Sequence, residues 1–244
     1  MVRSLTAGLV AVALAACVDD AGDGAVRIIR NLAVSDEACV VSSQLTATGR
    51  SGGAIESTSP IDYVLTPVVQ NFATSSGGKL TAQRTAFIEG ARIDLTFSKP
   101  DLFTAEELTT YAALVKFASP FSAAVSPDGG TAGVGFSVIP IELLKLIQPK
   151  LTSAMPRVTV NVRLKLYGKM GGGSFESEPF LYPVNVCDYR IGACVIAPAF
   201  VCGATLPDGQ TVRKGNPCNP YQDGPTDCCT QGATLTCPGF AGGA

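Results

Sequence analysis

The chain has 244 residues, with 18 Lys and Arg against 20 Asp and Glu, and this balance offers nucleic acid no electrostatic attraction. It contains no His, which excludes Ser-His-Asp and Cys-His nucleophiles, histidine general bases and histidine metal ligands together. Few charges, no Trp and an abundance of Val, Thr, Ala, Ser, Gly and Pro suit many short strands and turns, so an all-β fold is expected.

Residues 1–16 read as a cleavable signal peptide. Met1-Val2-Arg3 supplies a positive start, residues 5–16 a short apolar run, and Leu14-Ala15-Ala16 small residues before Cys17. This looks like a lipobox, which implies that the Cys17 thiol receives a diacylglyceryl group and becomes the first residue of the mature protein. An ordinary secretory signal is the alternative. A membrane span is disfavoured, because the apolar run is shorter than the roughly 18 to 20 residues a span requires. Loss of Arg3 with the leader brings the mature net charge to about −3. Val18 follows Cys17, whereas an Asp there is the inner-membrane retention signal of enteric lipoproteins, so the outer membrane is favoured. Residues 17–24 form the lipidated Cys and an acidic, Gly-containing stretch that reads as a flexible tether. A calcium loop counted from Asp19 fails, since Ala21 and Arg30 stand where acidic ligands belong.

Residues 25–187 carry the β pattern. Runs at 26–34, 40–48, 63–70, 87–97 and 121–125 are separated by Gly, Pro, Asp and Ser. The turn Ser126-Pro127-Asp128-Gly129-Gly130 leads into 131–139, so 121–139 is expected to be a hairpin. Thr104-Ala105-Glu106-Glu107 spells a capping box ahead of Leu108, Tyr111, Ala112 and Val115 at helical spacing. A second short helix is expected over 140–147. In 158–166 the alternation is strict: Val158, Val160, Val162, Leu164 and Leu166 share one face. After a loop at 168–173, residues 174–187 alternate again, with Phe180, Tyr182, Val184 and Val186 on one side, and the two runs should pair as the last long hairpin of the sheet. Short strands with two small helical crossovers suggest an immunoglobulin-like two-layer β-sandwich, with a barrel as the alternative.

Residues 188–244 change to dense Cys, Gly, Pro and Asn, too poor in apolar residues to hold themselves by burial, and read as a disulfide-rich C-terminal appendix. Besides Cys17 the chain has Cys39, Cys187, Cys194, Cys202, Cys218, Cys228, Cys229 and Cys237, an even set suited to four disulfides in an oxidising compartment. Only Cys39 precedes residue 187, so complete pairing forces it to bond into the C-terminal cluster; the connectivity stays open. The adjacent Cys228 and Cys229 invite comparison with cystine-knot inhibitors, but one Cys follows them where that pattern has two. No C-x-x-C occurs, which argues against zinc and against a redox role.

Three segments carry a resemblance: Leu14 to Cys17, Tyr63-Val64-Leu65-Thr66-Pro67-Val68-Val69-Gln70-Asn71, and the run from Glu178 through Tyr182-Pro183-Val184-Asn185-Val186-Cys187 into the Cys cluster. Through them the mature chain resembles the uncharacterised, Cys-tailed β-sandwich lipoproteins from the envelopes of large-genome gliding bacteria. The resemblance implies architecture and an envelope location, and it lends no catalytic residue.

Motifs with chemistry are few. Ser76-Gly77-Gly78-Lys79 spells the S-x-x-K of penicillin-recognising enzymes, but S-D-N and K-T-G are missing and the setting is a Ser/Gly loop. Gly78-Lys79-Leu80 lacks the remainder of a phosphate loop. Paired carboxylates for glycoside hydrolysis could come from Glu106-Glu107, Asp36-Glu37 or Glu176 with Glu178. No pattern calls for a cofactor. The expectation is a non-catalytic envelope lipoprotein with a structural or binding role, joined to the membrane through lipid on Cys17 and meeting an envelope or extracellular protein partner. The alternatives are a Cys-rich tail acting as an inhibitor-like or adhesive recognition module, and a carboxylate-dependent carbohydrate-active enzyme.

Overall fold

A computed structural model describes residues 24–34, 39–75, 81–192 and 194–242. Residues 1–23, with the signal peptide and Cys17, lie outside these, as do Asp36-Glu37 and the Ser76 to Lys79 motif. In chain order the elements are β1 (Val26–Leu32), β2 (Gly49–Arg50), β3 (Gly53–Glu56), β4 (Tyr63–Leu65), β5 (Pro67–Asn71), α1 (Thr81–Arg84), β6 (Ala86–Phe97), α2 (Ala105–Thr110), α3 (Ala112–Val115) and β7 (Lys116–Val125). There follow β8 (Thr131–Gly133), β9 (Phe136–Ile139), α4 (Ile141–Ile147), β10 (Arg157–Met170), β11 (Gly173–Glu176), β12 (Phe180–Cys187), β13 (Ile196–Val201), β14 (Thr226–Gln231) and β15 (Thr234–Thr236). The protein is all-β with short helices and a disulfide-rich C-terminal part.

β10 organises the large sheet. Its alternating Val158, Val160, Val162, Leu164 and Leu166 are fully or almost fully buried, and each contributes about 1.5–3 kcal/mol by leaving water. Arg157, Asn161, Arg163 and Lys169 face out between them. β12 pairs antiparallel with one edge of β10 and β6 with the other, giving the order β3-β12-β10-β6-β7, while β11 pairs with the far end of β10. The small sheet runs β2-β1-β5-β8, and β4 pairs with β9. Val26 and Val69 from the small sheet, Leu65 and Val138 from the β4–β9 ladder, and the inward residues of β6, β10 and β12 meet in one core. These are the layers of a β-sandwich.

Three expectations about strand pairing and extent change here. Residues 121–139 do not form a hairpin: the turn at 126–130 exists, but β7 pairs with β6 in the large sheet and β8 pairs with β5 in the small one. Asn71 explains the crossing. Its backbone bonds Gly129 and Gly130, and its buried side chain donates to the carbonyls of Arg84 (2.9 Å) and Val125 (3.0 Å), tying the end of β5 to the large sheet. The run at 63–70 divides at Thr66 into β4 and β5. Thr66 donates its backbone N–H to Asn31 Oδ1 (2.7 Å) and its hydroxyl to the Leu32 carbonyl (2.8 Å), which turns the chain from one ladder into the other. Residues 40–48 are not a strand. Val40 and Val41 are followed by Ser42, Ser43 and Gln44, so no face is consistently apolar, and a turn closes from Ala47 N–H to the Gln44 carbonyl.

Both expected helices form. Thr104 caps α2 with a complete capping box, Glu107 returning its carboxylate to the Thr104 N–H. α4 follows Pro140 and buries Leu143, Leu144 and Ile147, while Asp62 Oδ1 accepts the Ile141 N–H at 2.8 Å. No helix among the described residues is long and apolar enough to cross a membrane.

Gly168 was expected in a loop, yet it lies inside β10 where the register with β6 shifts. A methyl group there would run into the carbonyl oxygen of Phe87 and lie 2.9 Å from the Cα of Ile88, both backbone atoms. Gly172, at φ +82, has open space around it. Gly168→Ala is therefore expected to destabilise by about 2–3 kcal/mol through overpacking, against about 1 kcal/mol for Gly172→Ala from left-handed strain alone. Urea unfolding with the disulfides intact checks the order; equal losses would contradict the packing role of Gly168.

Candidate functional site

All eight described cysteines are paired: Cys39 with Cys218, Cys187 with Cys194, Cys202 with Cys229, and Cys228 with Cys237. Neighbouring residues of a strand point to opposite faces, so Cys228 and Cys229 send their disulfides out of β14 on opposite sides. β13 runs parallel to β14 and β15 antiparallel, forming a small sheet that the two bonds clamp to flanking chain. Arg213 closes this unit from outside, its guanidinium on Asp227 and its backbone N–H bonded to the same carboxylate (2.9 Å).

The C-terminal part does not hang from the sandwich. β3 lies parallel to β12 on one side and on its other side meets residues 221–223. Glu56 N–H bonds the Tyr221 carbonyl (3.0 Å) and Asp223 N–H bonds the Ala54 carbonyl (2.8 Å), so this short segment extends the large sheet past β3. Gln222 imitates a peptide group against β4, accepting from Val64 N–H (3.0 Å) and donating to the Val64 carbonyl (2.6 Å). Asn219 reaches the Asp62 carbonyl at 3.3 Å.

Two carboxylates seal the junction, Glu56 fully buried and Asp223 half-buried. Asp223, at φ 59, accepts the Ala54 N–H and the Tyr63 hydroxyl, each at 2.9 Å, while Arg50 binds its carbonyl. Asn31 donates to the Tyr182 hydroxyl (3.0 Å), and Tyr182 and Tyr63 lie in the same buried core, the Tyr63 hydroxyl donating to Asp223 of the module. Burial pushes the Asp223 carboxyl above its ordinary range; the Tyr63 hydroxyl rises well above its own, by burial first and the neighbouring Asp223 charge second. Glu56 is fully buried and accepts three backbone N–H groups, from Tyr189 (2.9 Å), Val195 (3.0 Å) and Ile196 (3.0 Å). It thereby holds both arms of the loop that the Cys187–Cys194 bond closes. Burial also raises its pKa, against the lowering pull of those N–H groups.

The Glu56 carboxylate and the sulfurs of Cys187 and Cys194 lie within 4.8 Å of one another, the geometry of a small metal cluster. The two sulfurs are bonded to each other, so neither is the thiolate a metal would take. An open cavity of about 280 Å³ beside this disulfide is lined by Ala54, Pro156, Arg157, Asn185 and Gly192.

The carboxylates considered for catalysis are dispersed. Glu107 caps α2 and pairs with Lys150 (2.8 Å), which holds its carboxyl below the usual range. Glu106 stands in the first turn of the same helix. Glu176 lies on the outer face of the large sheet between Lys165 and Arg92, and the Lys165 hydrogen bond lowers its pKa. Glu178 is exposed beside Gly24. Sequence reasoning missed Glu56, Asp223 and Gln222. A single Glu ending the apolar run Gly53-Ala54-Ile55 was the one available signal for the first.

No family model matches the chain, and no curated protein matches it. Among solved structures, a crystal structure of a protein from Archaeoglobus fulgidus is similar over 53% of this chain and 88% of that chain, at 8% identity and a TM-score of 0.35, too slight a likeness to carry any argument.

A carboxyl whose pKa is higher in the folded chain than in the unfolded one is protonated preferentially when folded. Its contribution to stability is complete below the ordinary value of 4.5 and declines as pH rises through the folded value. Glu56→Gln has no such decline, and it turns an amide donor toward backbone N–H groups. The substitution is expected to destabilise by about 1–3 kcal/mol. In urea unfolding with disulfides intact, the difference from wild type should be larger near pH 4 than near pH 8; growth of that difference with pH would contradict the assignment. Joint Cys39→Ser and Cys218→Ser replacement, which opens a link spanning 179 residues, is expected to cost about 2–5 kcal/mol in the same assay.

Proposed function

We propose that this is an exported, lipid-anchored bacterial envelope protein whose role is structural or binding and not catalytic. The observation that carries the reading is the set of four disulfides, which belongs to an oxidising, exported environment. The lipobox at Leu14 to Cys17 supplies the anchor, and Val18 after Cys17 favours the outer membrane. Two or three acyl chains, each buried CH₂ contributing about 0.8 kcal/mol, make such an anchor long-lived. Support for a binding role comes from what the polar groups do. Glu56 and Asp223 are committed to backbone N–H groups that join module to sandwich, and Glu107 and Glu176 are committed to ion pairs.

One observation favours a second reading, in which the Cys-rich module is itself the recognition element. Val201 and Phe240 are exposed large hydrophobic residues on the clamped unit, and Phe240 is held against its loop by the Gly203 N–H bond to its carbonyl (3.1 Å). Rigid exposed apolar side chains are the kind that anchor protein partners.

The protein purified from its native membrane should have a mass that starts at Cys17 with acyl chains added, and eight thiols should become alkylatable only after reduction. Cys17→Ala should abolish membrane retention. An unacylated native chain, or thiols free before reduction, would overturn the proposal. For the module reading, a photo-crosslinking residue at position 201 or 240 should give adducts in intact cells, and one at Leu181 on the sandwich should not; adducts confined to position 181 would move the partner to the sheet.

A further inference from the structure

The end of the sandwich at which the chain enters has a composition of its own. Ala25 accepts the Phe72 N–H at 2.7 Å, and Asn71, one residue before, is bonded to Arg84 at the end of α1 and to Val125 of the large sheet. Ala86 pairs with Val125, which places Phe87 at the same end, in register with Lys169. Phe72 is 48% exposed and Phe87 54% exposed, each on the outer side of its own sheet. The Arg27 guanidinium lies over the Phe72 ring at 5.7 Å, and its Nε is tied to the Gly24 carbonyl at 2.9 Å. Of the acidic groups at this end, Asp128 is turned onto Ser75, whose N–H it accepts at 2.9 Å, while Glu178 stands exposed beside Gly24 and Glu89 stands exposed on β6 two residues beyond Phe87.

The module sits at the opposite end. β10 spans 14 residues from Arg157, opposite Cys187, to Met170, roughly 45 Å at the usual strand rise. Cys187 leads directly into the Cys-rich part. Between Cys17 and Gly24 there are only a few residues, which span at most about 25 Å even when fully extended. A body held that closely by lipid on Cys17 presents its entry end to the bilayer.

We infer that this end is a docking surface for a phospholipid bilayer. Phe72 and Phe87 enter the interface from the two sheets, Arg27 and Lys169 meet anionic headgroups, and the Cys-rich module points away from the membrane. The inference rests on the lipid-anchor reading above. Aromatic rings flanked by basic side chains are what an interfacial surface uses, the rings burying their apolar area about 5–10 Å into the headgroup boundary.

The chain has no Trp, so single replacements report without background. Phe72→Trp, Phe87→Trp and, as the distal control, Ile191→Trp are made in the full acylated chain and reconstituted in phosphatidylethanolamine–phosphatidylglycerol vesicles carrying brominated acyl chains. Intact mass is recorded first. Expected are blue-shifted emission and fractional quenching at positions 72 and 87 that exceed that at 191 by roughly twofold or more. An acylated chain in which position 72 or 87 is quenched no more than 191 overturns the docking surface and leaves the lipid anchor standing. A native chain without acyl groups overturns both. Hydroxyl-radical labelling of the unsubstituted acylated chain serves where a Trp form misfolds: Phe72 and Phe87 should be protected several-fold on vesicles relative to the Cys17→Ala form in solution. Protection that appears only at high protein density, marking a second copy as the occupant, also overturns the inference.

Discussion

β3 is four residues long and sits at the edge of the large sheet, and the fusion of the two parts of this protein depends on how its polar groups are satisfied. A buried N–H or carbonyl left without a partner costs about 1–3 kcal/mol, so an edge strand inside a protein must be paired, covered or exposed to water. Here β12 serves one side and residues 221–223 serve the other. The Asp223 carboxylate supplies the acceptor that a continuing backbone would have supplied to Ala54, and Gln222 does the equivalent for Val64. With the edge closed in this way, the sheet offers no template there for another chain. The same bonds make the Cys-rich part an extension of the sandwich.

The disulfides and the two junction carboxylates divide the work. Cys39–Cys218 spans most of the chain and restricts the unfolded state, whereas Glu56 and Asp223 act only in the folded state, where they select one register for the module. Desolvation works against both carboxylates, which is why their pKa values rise although every hydrogen bond they accept favours the charged form. Within the hydrophobic core the Tyr63 hydroxyl is satisfied by Asp223 and the Tyr182 hydroxyl by Asn31. Position is held by polar contacts and energy by the apolar faces of β6, β10 and β12.

A similar division separates the two outer surfaces. The solvent side of the large sheet carries Arg92, Asp94, Lys116, Arg163, Lys165 and Glu176 around an open groove of about 500 Å³, and its charges are interleaved in the manner of a solvated face. Large apolar residues are exposed as well: Phe72 and Phe87 at the entry end, Val201 and Phe240 on the module, and Leu181 on the large sheet itself.

What was legible in the sequence was local. The alternation in β10 and β12, the Thr104 capping box and the turn at 126–130 each depend on residues within one or two periods of one another, and each is present. The all-β class and the disulfide-rich C-terminal part follow from composition and counting. Partner choice was not local. Whether β8 returns beside β7 or crosses to β5 is decided by Asn71, whose bonds reach residues 13 and 54 positions away. The division of 63–70 depends on Asn31, and the junction brings Ala54 and Tyr63 to Asp223 across separations of 169 and 160 residues. By itself the sequence determined periodicity, caps, turns and the even cysteine set, because these express short-range stereochemistry and counting. Only the tertiary structure decided which strand meets which, that Glu56 lies buried and that Asp223 meets Ala54 and Tyr63, because burial and hydrogen-bond satisfaction are properties of the assembled core.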